Sequence, residues 1–236
     1  MRYDEGDHSV SDLDEDEADR AGFGQRLMTP ESVTSLPGYA RLPRLYERLF
    51  WPRASHHWVR IVMDRETRTL VQSLQPHQLD VLEISGDYWG RVEQFKTYRS
   101  VHYPEFDICS SALTEQFDLI IAEQVFEHLQ WPYRAGKHVY QMLRPGGYFL
   151  ITTPFLIRIH NIPDDCSRWT ETGIRYFLAE CGFHLEQIRT GSWGNRACAR
   201  ANFIRLGAWY RRWWHSLHNE PDFPVASALA PSPHAP

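Results

Sequence analysis

"FDLIIAEQ", Phe117 to Gln124, is apolar at five of its first six positions, with Asp118 the exception. A strand with one wet face alternates polar and apolar residues. A near-continuous apolar run of this length instead suits a central parallel strand covered on both faces. The run ends on two polar residues, Glu123 and Gln124. In an open parallel sheet, ligands sit at the carboxyl ends of the strands where the winding reverses. Glu123 and Gln124 are therefore read as facing a ligand.

Working outward, the strand has neighbours on both sides. Upstream, "DVLEI" (80–84) begins the sheet and opens into a turn, "SGDYWG" (85–90). A nucleotide-binding turn usually carries a Gly-x-Gly-x-Gly pattern, yet Ser85, Asp87 and Trp89 hold the expected glycine places. "YRSVHY" (98–103) reads as a second strand, followed by Glu105 and Asp107. Downstream, Ala135, Val139, Met142 and Leu143 recur at helical spacing over 132–143, and "RPGG" (144–147) ends that helix. "YFLITTP" (148–154) is the next strand, with His160 in the loop beyond it. Thr170 is placed to cap a helix whose Ile174, Phe177, Leu178 and Cys181 form one apolar stripe, and Gly182 closes it.

Before the sheet, two helices are expected. One lies near 42–51 and stops at Pro52. The other, over 56–74, groups Trp58, Ile61, Val62, Leu70, Val71 and Leu74 on one side. The alternation of strands and helices predicts an α/β fold, a doubly wound and mostly parallel sheet with helices on both faces. "FPVASALA" (223–230) supplies a last strand, antiparallel, at the edge or inserted.

The chain of 236 residues is long enough for one domain. Residues 1–22 carry nine Asp or Glu against two Arg, a net of −7 in a chain whose total is −5. With few apolar side chains, they are expected to be a disordered acidic tail. A single domain then spans 23–236, with an N-terminal helical segment over 39–78, a ligand-binding core over 80–200, and a C-terminal helix and edge strand over 201–236. The remainder of the chain is nearly neutral, which argues against general nucleic-acid binding. No run approaches the ~20 apolar residues that span a bilayer. Cys109, Cys166, Cys181 and Cys198 lack CxxC spacing and suggest neither a zinc site nor a disulfide framework. The expectation is a cytoplasmic protein without a metal. The aromatic and basic stretch 191–220 reads as a helix over the sheet and acceptor pocket, or as a membrane-surface helix.

Taken in order, "VLEISG", "FDLIIAEQVFEHL", "LRPGGYFLITTP" and "RWTETGIRYFLAECGF" resemble the class I S-adenosylmethionine-dependent methyltransferases over residues 56–200. The most specific piece is "FDLIIAEQVFEHL…LRPGG". "TTPFLIRIHNIPDDCSRWT" further resembles small-molecule methyltransferases associated with sugar or polysaccharide biosynthesis. The resemblance implies a sheet of seven-stranded type, S-adenosyl-L-methionine as cofactor, and a small-molecule acceptor, a sugar or natural-product hydroxyl.

It also implies roles. Glu83 and the turn Ser85, Gly86 and Asp87 hold the methionine portion of the cofactor. Asp87 is a residue type that tolerates left-handed backbone. Asp107 matches the acid that meets the adenine amino group, and Glu105 is the candidate for the ribose hydroxyls. The linker from strand two to the central strand is short, so the helix normally found there is shortened or lost. His128 packs or caps. Apart from the resemblance, His160 is read as the group that takes the acceptor's proton, because its loop follows the strand ending Thr152-Thr153-Pro154 and an unperturbed imidazole pKa of about 6.5 suits a general base. Asp164 orients it, with Asp165 adjacent. A nicotinamide oxidoreductase would need the dinucleotide glycine turn that residues 85–90 lack. A non-catalytic binding protein with an eroded turn remains the other reading.

Overall fold

The computed structural model describes residues 58–160, 163–203, 220, 222 and 226–230. The acidic tail, the helix expected near 42–51 and most of the aromatic C-terminal stretch lie outside these residues. The described part of residues 56–236 forms a six-stranded sheet, ordered β2-β1-β3-β4-β6-β5. The strands are β1 (Asp80–Ile84), β2 (Thr97–Val101), β3 (Phe117–Glu123), β4 (Leu143–Pro154), β5 (Arg189–Trp193) and β6 (Ala226–Ala230). The helices are α1 (Trp58–Ser73), α2 (Trp89–Val92), α3 (Pro132–Met142), α4 (Glu171–Cys181) and α5 (Arg196–Phe203).

β1 to β4 pair in parallel, and β6 runs antiparallel between β4 and β5. The last strand is thus inserted, not at an edge, and β5 was not foreseen. Six strands are described where a seven-stranded type was expected. Residues 102–116, between β2 and β3, hold only turns, too little chain for a further helix and strand.

β3 shows why its sequence is almost wholly apolar. Leu119 and Ile121 pack with Val71 of α1, Val81 and Leu150 on one face. Ile120 and Ala122 pack on the other with Ala135, Val139 and Met142 of α3 and with Ile174, Phe177 and Leu178 of α4. Both faces are dry, so neither tolerates a polar repeat.

On α1, Val62, Met63, Thr67 and Val71 are buried, while Ile61 is 39% exposed. Residues 62 and 63 with their i+4 and i+8 partners centre the buried stripe one position beyond Ile61, which turns that side chain to solvent. Among the described residues no helix is long and apolar enough to cross a membrane. None of the four cysteines is in a disulfide.

"RPGG" does more than end α3. Phe117 pairs with Leu143 and Leu119 with Tyr148, so a bulge carries β4 past β3. Gly146 has φ 80. A Cβ on Gly147 would stand 2.9 Å from the Arg144 carbonyl and 3.1 Å from that of Phe117. Arg144 there joins Asp80 (2.7 Å) and Asp118 (2.8 Å) at the amino ends of the strands. Thr170 caps α4 through a bond from Gly173 N, and Gly182 ends it with φ 117, as its sequence predicts.

Candidate functional site

The winding reverses between β1 and β3: β2 lies on one side of β1, and the chain then crosses to β3 on the other. The turn after β1 opens at this switch point. Ser85 adopts φ 57, and its N–H donates to the Val101 carbonyl at 2.8 Å. Ser85 is therefore the residue that takes the left-handed conformation a glycine would supply, not Asp87. Asp87 is exposed and pairs with Arg91 at 2.7 Å, one helical turn on. Trp89, in the third glycine place, is fully buried among Val71, Val81 and Leu119. The turn is complete before residue 89.

Glu83 lies beneath that turn, 3% exposed. Its carboxylate accepts from Tyr88 N (3.2 Å), Trp89 N (2.9 Å) and the Tyr98 hydroxyl (2.6 Å). Burial and the adjacent Glu83 carboxylate hold the Tyr98 phenol well above its ordinary range, so it stays a donor. A Cβ on Gly86 would collide with Glu83 Oε1, and one on Gly90 with the Tyr98 ring. Both glycines thus serve the carboxylate–phenol pair. The bonds observed for Glu83 all shape the turn.

Other rim residues divide. β2 ends at Val101 with no acid. His102 Nε2 lies 2.8 Å from Ser100 Oγ, and that hydroxyl also bonds to the Gly86 carbonyl. Glu105 is exposed in a turn beyond, four residues past the strand end. Asp107 accepts from Cys109 N (2.8 Å) and Ser110 Oγ (2.5 Å), an Asx-type turn beside buried Ile108. Each of its oxygens keeps a second lone pair.

Glu123 ends β3 half-buried, opposite Thr152. Gln124 has φ 57; its N–H donates to the Thr152 carbonyl (2.9 Å) and its Nε2 to Thr152 Oγ1 (3.3 Å). Thr153 Oγ1, buried near the carboxyl end of β4, has no hydrogen-bond partner among the described residues. A left-handed turn at the switch point, an acid with free lone pairs and an orphaned hydroxyl fit a ligand with donor groups and a diol. The missing acid at the end of β2 does not fit.

A second cluster was only partly legible. Val125 and Phe126 are buried, Phe126 edge-on to Phe177, and they anchor a 3₁₀ turn over Phe126–His128. Glu127 and His128 thereby meet His160 from the loop after β4. The two imidazoles stack edge to face, centroids 4.9 Å apart. Glu127 is fully buried, its Oε1 3.7 Å from His128 Nε2. One ligand-capable atom from each of Glu127, His128 and His160 lies within 4.8 Å of the others. Cys166 N and Ser167 N both donate to the Glu127 carbonyl, at 2.7 and 3.1 Å, which fastens the following loop across the turn.

The acid beside His160 is Asp165, not Asp164. Asp165 Oδ2 accepts from His160 N at 2.9 Å and lies 3.3 Å from Nδ1. Arg168 grips both Asp165 oxygens, Oδ2 at 2.6 Å. Its hydrogen bonds, with that from His160, hold the Asp165 carboxyl below the usual carboxylate range despite burial. Asp164 is exposed; its carboxylate accepts from Gln130 (3.4 Å), and its carbonyl accepts from His128 Nδ1. The neighbouring acids "DD" are indistinguishable in sequence, and only the loop's direction chooses between them.

A family profile described as a methyltransferase domain matches residues 30–220. Solved structures similar to the chain include an S-adenosylmethionine-dependent methyltransferase from Mesorhizobium loti, at 14% identity and TM-score 0.44, covering 71% of this chain and 97% of that one. Another, from Archaeoglobus fulgidus, has 13% identity and TM-score 0.48, covering 80% and 98%. A third, from Clostridium acetobutylicum, has 11% identity and TM-score 0.47, covering 84% and 99%. No curated protein matches.

Proposed function

The chain belongs to the methyltransferase-domain family and is an S-adenosyl-L-methionine-dependent methyltransferase, and we propose that its acceptor is a hydroxyl of a small molecule, a sugar or natural product. The carrying observation is the Glu127–His128–His160 cluster with Asp165, set just past the carboxyl ends of β3 and β4. An amine acceptor is already nucleophilic, whereas an alcohol must lose a proton as it reacts. An imidazole fixed through Asp165 suits that task, and His160 is the group that takes the proton. Asp165 is a positioning residue.

When bound, S-adenosyl-L-methionine supplies a sulfonium methyl that leaves sulfur as its bond to the acceptor oxygen forms. The residues that would hold it are the turn at Ser85, Gly86 and Asp87, with Asp107 at the adenine end and Glu123 and Gln124 at the rim. Glu83 and Tyr98 keep that turn in shape from below. The left-handed Ser85 supports a working turn without the missing glycine. The reduced cysteines and near-neutral remainder of the chain favour a cytoplasmic enzyme that does not act on nucleic acid.

The test has two arms. Calorimetry with S-adenosyl-L-methionine should show saturable binding to one site. Transfer of label from the methyl-labelled cofactor should then appear with pooled glycosides and be absent with pooled amines. Label on amines alone would sink the hydroxyl reading.

A further inference from the structure

We propose that Glu127, His128 and His160 form a site for one divalent first-row cation of the Zn²⁺ type, with open coordination positions for the acceptor's oxygen. The inference rests on the hydroxyl-acceptor reading only for what occupies those positions; the cation site itself does not need it.

The donor set carries the argument. One carboxylate and two imidazoles are the three-ligand pattern of catalytic zinc, which keeps a position for water or substrate. All-oxygen sites suit Mg²⁺ or Ca²⁺, and two nitrogens in three shift the preference to zinc and its neighbours. The geometry is nearly assembled. Ligand atoms at 2.0–2.1 Å from a tetrahedral ion stand about 3.3 Å apart. Glu127 Oε1 and His128 Nε2 are already 3.7 Å apart, and all three ligand atoms lie within 4.8 Å. Small side-chain rotations close the difference.

The surrounding hydrogen bonds also match. A ligating histidine commonly donates its second ring N–H to a carbonyl or carboxylate, which fixes the tautomer and aims the free lone pair. His128 Nδ1 meets the Asp164 carbonyl, which can only accept, so the proton is on Nδ1 and the lone pair on Nε2. His160 Nδ1 faces Asp165 Oδ2 at 3.3 Å. Arg168 Nη2 is equally near that nitrogen, but its shorter bond, 2.6 Å, goes to Asp165 Oδ2. A proton on Nδ1 of His160 is consistent with that carboxylate. Full burial of the Glu127 side chain adds a carboxylate in a dry setting, where a cation is bound more strongly than in water.

The lone pair with which His160 takes the acceptor's proton in the metal-free chain is the one that binds the cation, so with the cation in place His160 is a ligand and not the base. The acceptor hydroxyl then ionises on the cation, and its proton passes to solvent water.

The test uses the full chain stripped with a chelator. Titration calorimetry should show one Zn²⁺ per chain and weaker binding of Mg²⁺. Glu127→Gln and the pair His128→Ala with His160→Ala should each weaken Zn²⁺ at least about tenfold, and Asp165→Asn about 10–100-fold through its hold on His160. Thermal melts establish that each variant is folded. Should the variants fail to fold, Co²⁺ added to the unaltered chain decides the point. Nitrogen and oxygen ligation gives weak d–d bands, whereas a site at Cys109 or Cys166 gives strong thiolate charge transfer. Absence of binding to the unaltered chain, undiminished binding to folded variants, or the thiolate band would each overturn the proposal. Zn²⁺ binding without methylation of any alcohol would instead defeat the hydroxyl reading and leave the metal site standing.

Discussion

Residue 86 is glycine because Glu83 lies against it: a Cβ there would occupy the place of Glu83 Oε1. That oxygen is held by Tyr88 N, and its twin by Trp89 N and Tyr98. Gly86→Ala must therefore push a buried carboxylate off its donors. Losing one such charged hydrogen bond costs about 1.5–3 kcal/mol, and a thermal melt should fall accordingly. Glu83→Ala combined with Gly86→Ala should cost less than the two separately, since the collision is then gone. Additive losses would show that the two residues are not coupled.

Asp165 and Asp164 provide a second contrast. His160→Ala should lower turnover by roughly 10²–10⁴-fold, the range for loss of a general base. Asp165→Asn should lower kcat with little change in cofactor affinity, and Asp165→Glu should restore part of it. Asp164→Asn should leave kcat near its original value. Equal effects at the two aspartates in steady-state kinetics would remove Asp165 from its positioning role.

Asp107→Ala should weaken cofactor binding by roughly 1.5–3 kcal/mol if its remaining lone pairs meet the adenine amino group. Ser110→Ala removes a turn bond while leaving the acid, so it serves as control. Calorimetry on both variants decides. If Ser110→Ala weakens binding as much as Asp107→Ala, the acid acts through the turn alone.

Far from the site, Asp80 is bound by Arg144, Thr97 and Lys96, and these hydrogen bonds lower its pKa from 3.8 to about 2. The unfolded chain has no such network, so the folded form binds the proton less readily. The stabilisation is complete above the unfolded value near 3.8 and disappears as pH falls toward 2. Arg144→Met removes the bonds to both Asp80 and Asp118 and should lower stability near neutral pH by about 1–2 kcal/mol, since both are partly wet. The deficit should shrink between pH 4 and pH 2 in denaturant melts, roughly the interval between the two pKa values. A deficit that does not change with pH would mean Arg144 acts by packing alone.

What the sequence made legible follows from period and capping. The buried strands, the α3 and α4 stripes, the Thr170 cap and the Gly182 stop are local signals, and each stands where its residues placed it. β5 was hidden because "RTGSW" has few apolar side chains and is half-buried, so it carries no period-2 contrast. The sequence named Asp87 only as a type that tolerates left-handed backbone and could not point to Ser85, because the hydrogen bond to Val101 that selects it is non-local. His128 read as a packing residue because its partner, His160, arrives from another strand's loop. Site residues that meet across two loops leave no spacing in the chain to read.

β6 has a temporal meaning as well as a spatial one. It pairs on one side with residues 151–154 of β4 and on the other with all of β5. During synthesis those two strands emerge well before Ala226, so the end of β4, next to the loop that bears His160, waits with an open hydrogen-bonding edge. An open edge is a template for another chain. A protein shortened before Ala226 would keep every residue named at the site and still lose the strand that joins β5 to the sheet. Its failure would show as aggregation on the ribosome or in the cell before any loss of chemistry could be measured.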